Sequence, residues 1–217
     1  MNKFTHTKLG KSLSYLGVVI GLVGLTHGIP EILQGESLVE SNSINAFPES
    51  WPNDYMYELL QGQPAVSILT GIPFYVLGIL AVLVSLALII NSAFFLNAKY
   101  SLIVFSILNV GVLFFGAGGG NPVLIGLPSI IAVLIFRYFG KKKKRTDSSD
   151  ALNLKLFRVF LGMHMVSWIL LFPGIFILDA LGIKPDPLFF ISVMTMPISV
   201  LGTLIFAYRY DTTLREA

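Results

Sequence analysis

Six apolar stretches, each close to the length a helix needs to cross a bilayer, set the terms on which this chain folds. They lie at about residues 12–33, 65–90, 100–117, 122–139, 156–178 and 188–208, and a helix needs roughly 20 apolar residues to span a hydrocarbon core. In lipid the backbone of each segment must satisfy its own hydrogen bonds, which makes helix the expected form. Composition agrees: 54% of residues are hydrophobic and 12% are charged, outside the usual range of globular proteins. The expected fold is all-α, an integral membrane protein of six transmembrane helices.

Lys and Arg give the orientation, because short cytoplasmic loops are enriched in them. With the N-terminus inside, Lys3, Lys8, Lys11, Lys99, Arg137, Lys141, Lys142, Lys143, Lys144, Arg145, Lys155, Arg158, Arg209 and Arg215 are all internal. Lys184 alone is external. The connection at 34–64 carries Glu36, Glu40, Glu49, Asp54 and Glu58 with no basic residue, as an external loop would. Both termini are expected in the cytoplasm, and the cell membrane is the expected location. The net charge of +3 thus reflects topology, and a nucleic-acid partner is not expected.

Residues 1–140 read as a four-helix membrane region with the acidic loop, 141–155 as a basic cytoplasmic linker, and 156–217 as a C-terminal helical hairpin with a short tail. The first apolar run is too long for a secretory signal and has no Ala-x-Ala exit, so it reads as a retained span. No lipidation motif is present at either end. Trp51, Tyr55 and Tyr57 suit a loop lying at headgroup level, or a lid over an external vestibule. Gly116 to Asn121 lacks the Gly-Lys-Ser/Thr ending of a phosphate loop and reads as a tight outer turn, or a backbone-lined mouth. Lys141, Lys142, Lys143, Lys144 and Arg145 would hold their loop inside and contact anionic lipid headgroups, at about 1 kcal/mol each.

The absence of Cys removes disulfides, thiolate metal sites and Cys nucleophiles, leaving His, carboxylate, hydroxyl and amide chemistry. The most informative stretch is Gly21 to Gly35, where His27, Pro30 and Glu31 interrupt an apolar run. His27 and Glu31 are four apart and share a helix face, about 6 Å apart along the axis. Pro30 should kink the helix and release the Thr26 carbonyl. An ionisable side chain within a span is costly and marks a functional site by default. The pair could hold a proton or a cation, with Thr26, Thr70, Tyr75, Asn109 and Asn121 as lining. Alternatively Glu31 reaches the outer surface, His27 bonds a neighbouring helix, and Gly17, Gly21, Gly24 and Gly28 let that helix approach closely.

A second polar focus comprises His164, Ser167 and Trp168. Counted from the inner ends, His27 stands roughly 22 Å up and His164 roughly 12 Å up, which argues against a haem held between them. No third metal ligand stands at recognisable spacing, and neither a metal nor another cofactor is expected. Ser167 beside His164 on one helix does not make a nucleophile and base by itself. Similar segments around Pro73, Pro128 and Pro197 raise the possibility of a hairpin repeat with each proline in the outer part of an inward-running helix.

His27 to Gly35, Trp51-Pro52, Gln63 to Leu69 and Gly118-Gly119-Gly120-Asn121-Pro122 together resemble a group of small prokaryotic membrane proteins of unassigned function. The resemblance covers residues 12–138, the first four spans, and implies architecture alone. The chain departs from that group at Val123, where a second proline is usual, and in its fifth and sixth spans. The expected function is a non-enzymatic membrane protein, either a small transporter-like carrier or an accessory subunit that binds a membrane partner or its own copy. The alternative is a membrane enzyme or redox subunit acting on a lipid or quinone.

Overall fold

The structure, a computed structural model, describes residues 6–38, 43–44, 65–66, 69–98, 100–115, 122–139, 147–174, 177–178, 181–183 and 186–214. Helix α1 spans Lys8–Leu33. Helix α2, Phe74–Ile90, runs on through one wide π-helical turn at Asn91–Phe95. Helix α3 is Ser101–Phe115, and α4, Leu127–Phe139, follows a π-helical turn at Pro122–Gly126. Helix α5, Asp147–Ile169, continues into a similar turn at Leu170–Gly174, and α6 is Asp186–Leu214. The described residues also include a two-residue antiparallel ladder of β1, Ser43–Ile44, and β2, Ala65–Val66. This fold is all-α in character. Three helical stretches are long and apolar enough to cross a membrane: Lys8–Leu33, Phe74–Phe95 and Pro187–Thr212. Ser101–Phe115 and Val123–Phe136 are apolar but shorter.

Two helix starts differ from the sequence expectation. The second helix begins at Phe74 instead of near residue 65, because Pro73 takes an extended conformation at its N-cap (φ −61°, ψ 141°) and Gly71 adopts φ +72°. The first N–H groups of α2 are satisfied from across the chain: Phe74 donates to the Ser37 carbonyl at 2.9 Å and Tyr75 to that of Gly35 at 3.0 Å. A bridge between Leu38 and Pro73 and the ladder then bring the two ends of the acidic loop together. The fifth helix begins at Asp147, within the stretch read as linker. Its opening Asp-Ser-Ser-Asp suits a helix N-terminus, where carboxylates meet the positive end of the dipole.

Packing follows the small residues. The most extensive pairings are α1 with α2 and α5 with α6. A Cβ on Gly28 would lie 2.9 Å from the Gly78 carbonyl oxygen and 3.0 Å from Ala81 Cβ, and one on Gly21 would lie 2.8 Å from the Ser85 carbonyl. On Gly17 and Gly24 it would run into the hydroxyls of Ser92 and Ser85. Gly17 and Gly24 are seven apart, as are Ser85 and Ser92, the spacing that keeps two helices in register at a crossing angle of about 20°. In the other pair, the Phe160 ring fills the space over Gly202 and stacks on Phe206 at 5.5 Å.

Leu13, Leu16, Ile20, Leu88, Phe105, Val112, Met196, Val200 and Leu204 form the common core. The outward faces are also apolar: on α6, Ile191, Met194 and Ile198 are exposed while Ser192, Ser199 and Thr203 are buried. A helix with hydroxyls inside and branched aliphatics outside is arranged for an apolar solvent.

The first and last helices are joined by a buried carboxylate. Asp211 of α6 accepts the N–H of Lys8 at 2.9 Å and of Leu9 at 2.7 Å, while Thr7 Oγ1 accepts that of Gly10 at 3.0 Å. Four N–H groups at a helix start lack intrahelical partners; here a residue about 200 positions away supplies two acceptors. The start of α1 and the end of α6 therefore share one end of the bundle. Pro73 is the N-cap of α2, Pro128 is the second residue of α4 just past the π-helical turn, and Pro197 is inside α6.

A Gly28→Leu variant should lose about 3 kcal/mol of stability, since its side chain meets backbone. Gly162, exposed and with nothing within 4 Å of a Cβ, should accept leucine with a change within about 0.5 kcal/mol. Thermal unfolding in detergent compares the two; equal losses would contradict the seam.

Candidate functional site

The α1 face that packs on α2 continues from Gly17 and Gly24 to Glu31, again seven residues on. Glu31 thus falls at the level of Gly78, where glycine leaves the backbone of α1 from Gly28 to Ile32 directly against α2: a Cβ on Gly78 would lie 2.6 Å from both the Gly28 carbonyl oxygen and the Ile32 nitrogen. Glu31 is 9% exposed, and its Oε2 has no hydrogen-bond partner among the described residues. A buried carboxylate oxygen normally has one. His27, one turn earlier, is partly buried. Thr26 is exposed, and its hydroxyl donates to the Val23 carbonyl at 2.7 Å, a local bond of the kind Thr makes in helices.

Tyr75 lies at the same end of the bundle, through its N–H to Gly35, and is 38% exposed. Thr70 precedes α2 in the exposed turn before Gly71. Asn109 is elsewhere. It is 2% exposed in α3, donates Nδ2 to the Phe105 carbonyl at 2.8 Å, and presents Oδ1 to Gly126 beside Ile20. Ile20 is eleven residues before Glu31, about 16 Å along α1. The structure therefore gathers Glu31, His27 and Tyr75 at one end and leaves Asn109 in the bundle centre. Asn121 and the basic run Lys141, Lys142, Lys143, Lys144 and Arg145 lie outside the described residues.

The second focus is built where α1, α5 and α6 meet. His164 is 1% exposed and meets Tyr15 edge to face, ring centroids 5.7 Å apart. Tyr15 is twelve residues before His27, about 18 Å along α1, so the two histidines stand at well-separated levels. The Ser167 hydroxyl pairs with Thr195 Oγ1 at 2.8 Å instead of with His164, and Trp168 packs on the core beside it. No serine–imidazole pair is thereby formed at this focus. Among the described residues no group of three or more His, Asp or Glu is placed to hold a metal ion.

Sequence reading did not reach Asp211, whose role depends on the other end of the chain, or the buried hydroxyls of α6. The spacing of Ser192, Ser199 and Thr203 carries a signal for the latter: steps of seven and four keep them on one helix face. No family model, curated protein or solved structure matches the chain.

The two buried carboxylates invite opposite expectations. Asp211→Ala removes two charge-assisted caps and should lower stability by about 2 kcal/mol. Glu31→Gln replaces a buried ionisable group that has an unpartnered oxygen with a neutral amide of the same shape and should raise stability by about 1 kcal/mol. Denaturation midpoints of the two variants measure this. A loss at Glu31 as large as that at Asp211 would make Glu31 a structural residue.

Proposed function

We propose that the chain is a multi-pass protein of the cell membrane, with six spans and both ends cytoplasmic, that acts as a small carrier coupled to a proton or cation at Glu31. The observation that carries this reading is the carboxylate of Glu31, buried at the end of the α1–α2 seam with an oxygen left unsatisfied. An intramembrane acid held in this way is ready for an external partner, and a proton or small cation is the partner its charge selects. His27, one turn away, offers a second polar group on the path. The acidic connection that follows α1 would raise the local concentration of cations at its mouth.

The clamp of Asp211 on the start of α1 supports an even number of crossings, since it brings the first and last helices together at one end. The basic run at 141–145 would then sit on the cytoplasmic side against anionic headgroups. The accessory-subunit reading is less favoured, because the glycine face that would receive a partner is occupied by α2 within the chain. The enzyme or redox reading is disfavoured by the separation of His27 from His164 and by the pairing of Ser167 with Thr195.

Proteoliposomes containing the purified protein should take up a monovalent cation, or change internal pH, under an imposed gradient, and Glu31→Gln should reduce this to the level of empty vesicles while still inserting. Normal flux through that variant would remove the proposal. A reporter fused after Arg145 should report a cytoplasmic location; an external one would overturn the topology.

A further inference from the structure

His164 is more deeply buried than either Glu31 or Asp211, at 1% exposure, yet neither of its ring nitrogens has a hydrogen-bond partner among the described residues. Ser192 of α6 is in the same position: 1% exposed, with an unpartnered hydroxyl. Buried polar groups are nearly always paired, with protein or with water. Two such groups facing one seam point to a shared occupant.

The hydroxyl pair between them narrows its chemistry. Thr195 Oγ1 lies 2.8 Å from the Ile191 carbonyl and 3.3 Å from that of Ser192, both acceptors only. Its single hydrogen is committed there, so Ser167 donates in the 2.8 Å contact between them. Ser167 is left with unused acceptor capacity. A neutral imidazole adds one donor and one acceptor, and Ser192 adds one of each. Pro197, inside α6, has no N–H to offer the Val193 carbonyl, which adds another acceptor. An occupant that both donates and accepts fits this wall. With a single nitrogen ligand and no carboxylate in the set, a metal ion does not.

Because α5 and α6 are antiparallel, His164 and Ser192 lie on opposite sides of the Ser167–Thr195 pair. Three residues each way separate them by about 9 Å along the seam, the length of a few hydrogen bonds. The Ser192 end faces the same end of the bundle as Glu31. We infer that α5, α6 and Tyr15 of α1 enclose a hydrated polar site, in which water bridges Ser192, Ser167 and His164 and lets the buried imidazole exchange protons. This site is separate from Glu31 and stands whether or not the chain is a carrier.

The chain has three histidines, so ¹⁵N-histidine labelling of the protein in lipid bilayers gives a spectrum that can be assigned. His6→Gln and His27→Gln identify two of the signals and leave the His164 surroundings intact. Magnetisation transfer from water is then measured at each ring N–H, with His6, which is exposed, as the internal reference. The His164 signal should receive transfer from water, and Ser192→Ala should slow it by about fivefold through loss of one bridging group. A His164 signal that stays dark to water while His6 responds would overturn the inference. So would a Ser192→Ala protein whose His164 exchanges at the unchanged rate.

Discussion

The close approach of α1 and α2 is the contact on which the rest of the structure depends. Without water there is no hydrophobic drive to hold two helices together in lipid, and association rests on backbone proximity and packing. Gly17, Gly21, Gly24 and Gly28 supply that proximity against a facing row of Gly78, Ala81, Ser85 and Ser92. The seam sets the register of the hairpin, and the register sets the depth of every polar group on α1. It places Tyr15 where it can meet His164, and it carries Glu31 onto the buried face at the level of Gly78.

Two carboxylates show how differently one chemical group is used. Asp211 is buried and paired with two backbone N–H groups, so its charge serves a helix end and ties the first helix to the last. Glu31 is buried at the far end of α1 with an oxygen that finds no such partner. The first arrangement stabilises the fold. The second lowers its stability, and under the function proposed above an exchangeable proton or ion supplies what the protein does not.

The apolar segments of the sequence correspond to the helices because lipid burial acts on a whole window of residues, which composition reports directly. The glycine spacing of the first span was legible for the same reason, being a local periodic pattern, and so was the separation in depth of His27 from His164. Three features were not. The start of α2 depends on carbonyls of Ser37 and Gly35 reaching across a loop, the clamp at Asp211 joins residues about 200 apart, and the first turns of α5 are polar enough to fall outside any hydrophobic window. The first two are decided by contacts that sequence periodicity does not encode, and the third by polar residues that carry no apolar pattern. Of the lining residues expected around Glu31, Tyr75 is brought to the same end by the hydrogen bond of its N–H to Gly35, whereas Asn109 lies on the buried face of α3, beside Gly126 and Ile20.

The central proposal is that the end of α1 that carries Glu31 faces outward, and that Glu31 is reachable from outside through the bundle and not through lipid. The absence of cysteine makes a direct test available. Glu31→Cys and Ile29→Cys are introduced singly, and intact cells are treated with a membrane-impermeant thiol reagent. The account predicts that the thiol of the Glu31→Cys variant is modified from the outside. That of Ile29→Cys, on the exposed apolar face of the same helix, should not react. Modification of the Glu31→Cys variant from the cytoplasmic side alone, or of neither variant from either side, would contradict it.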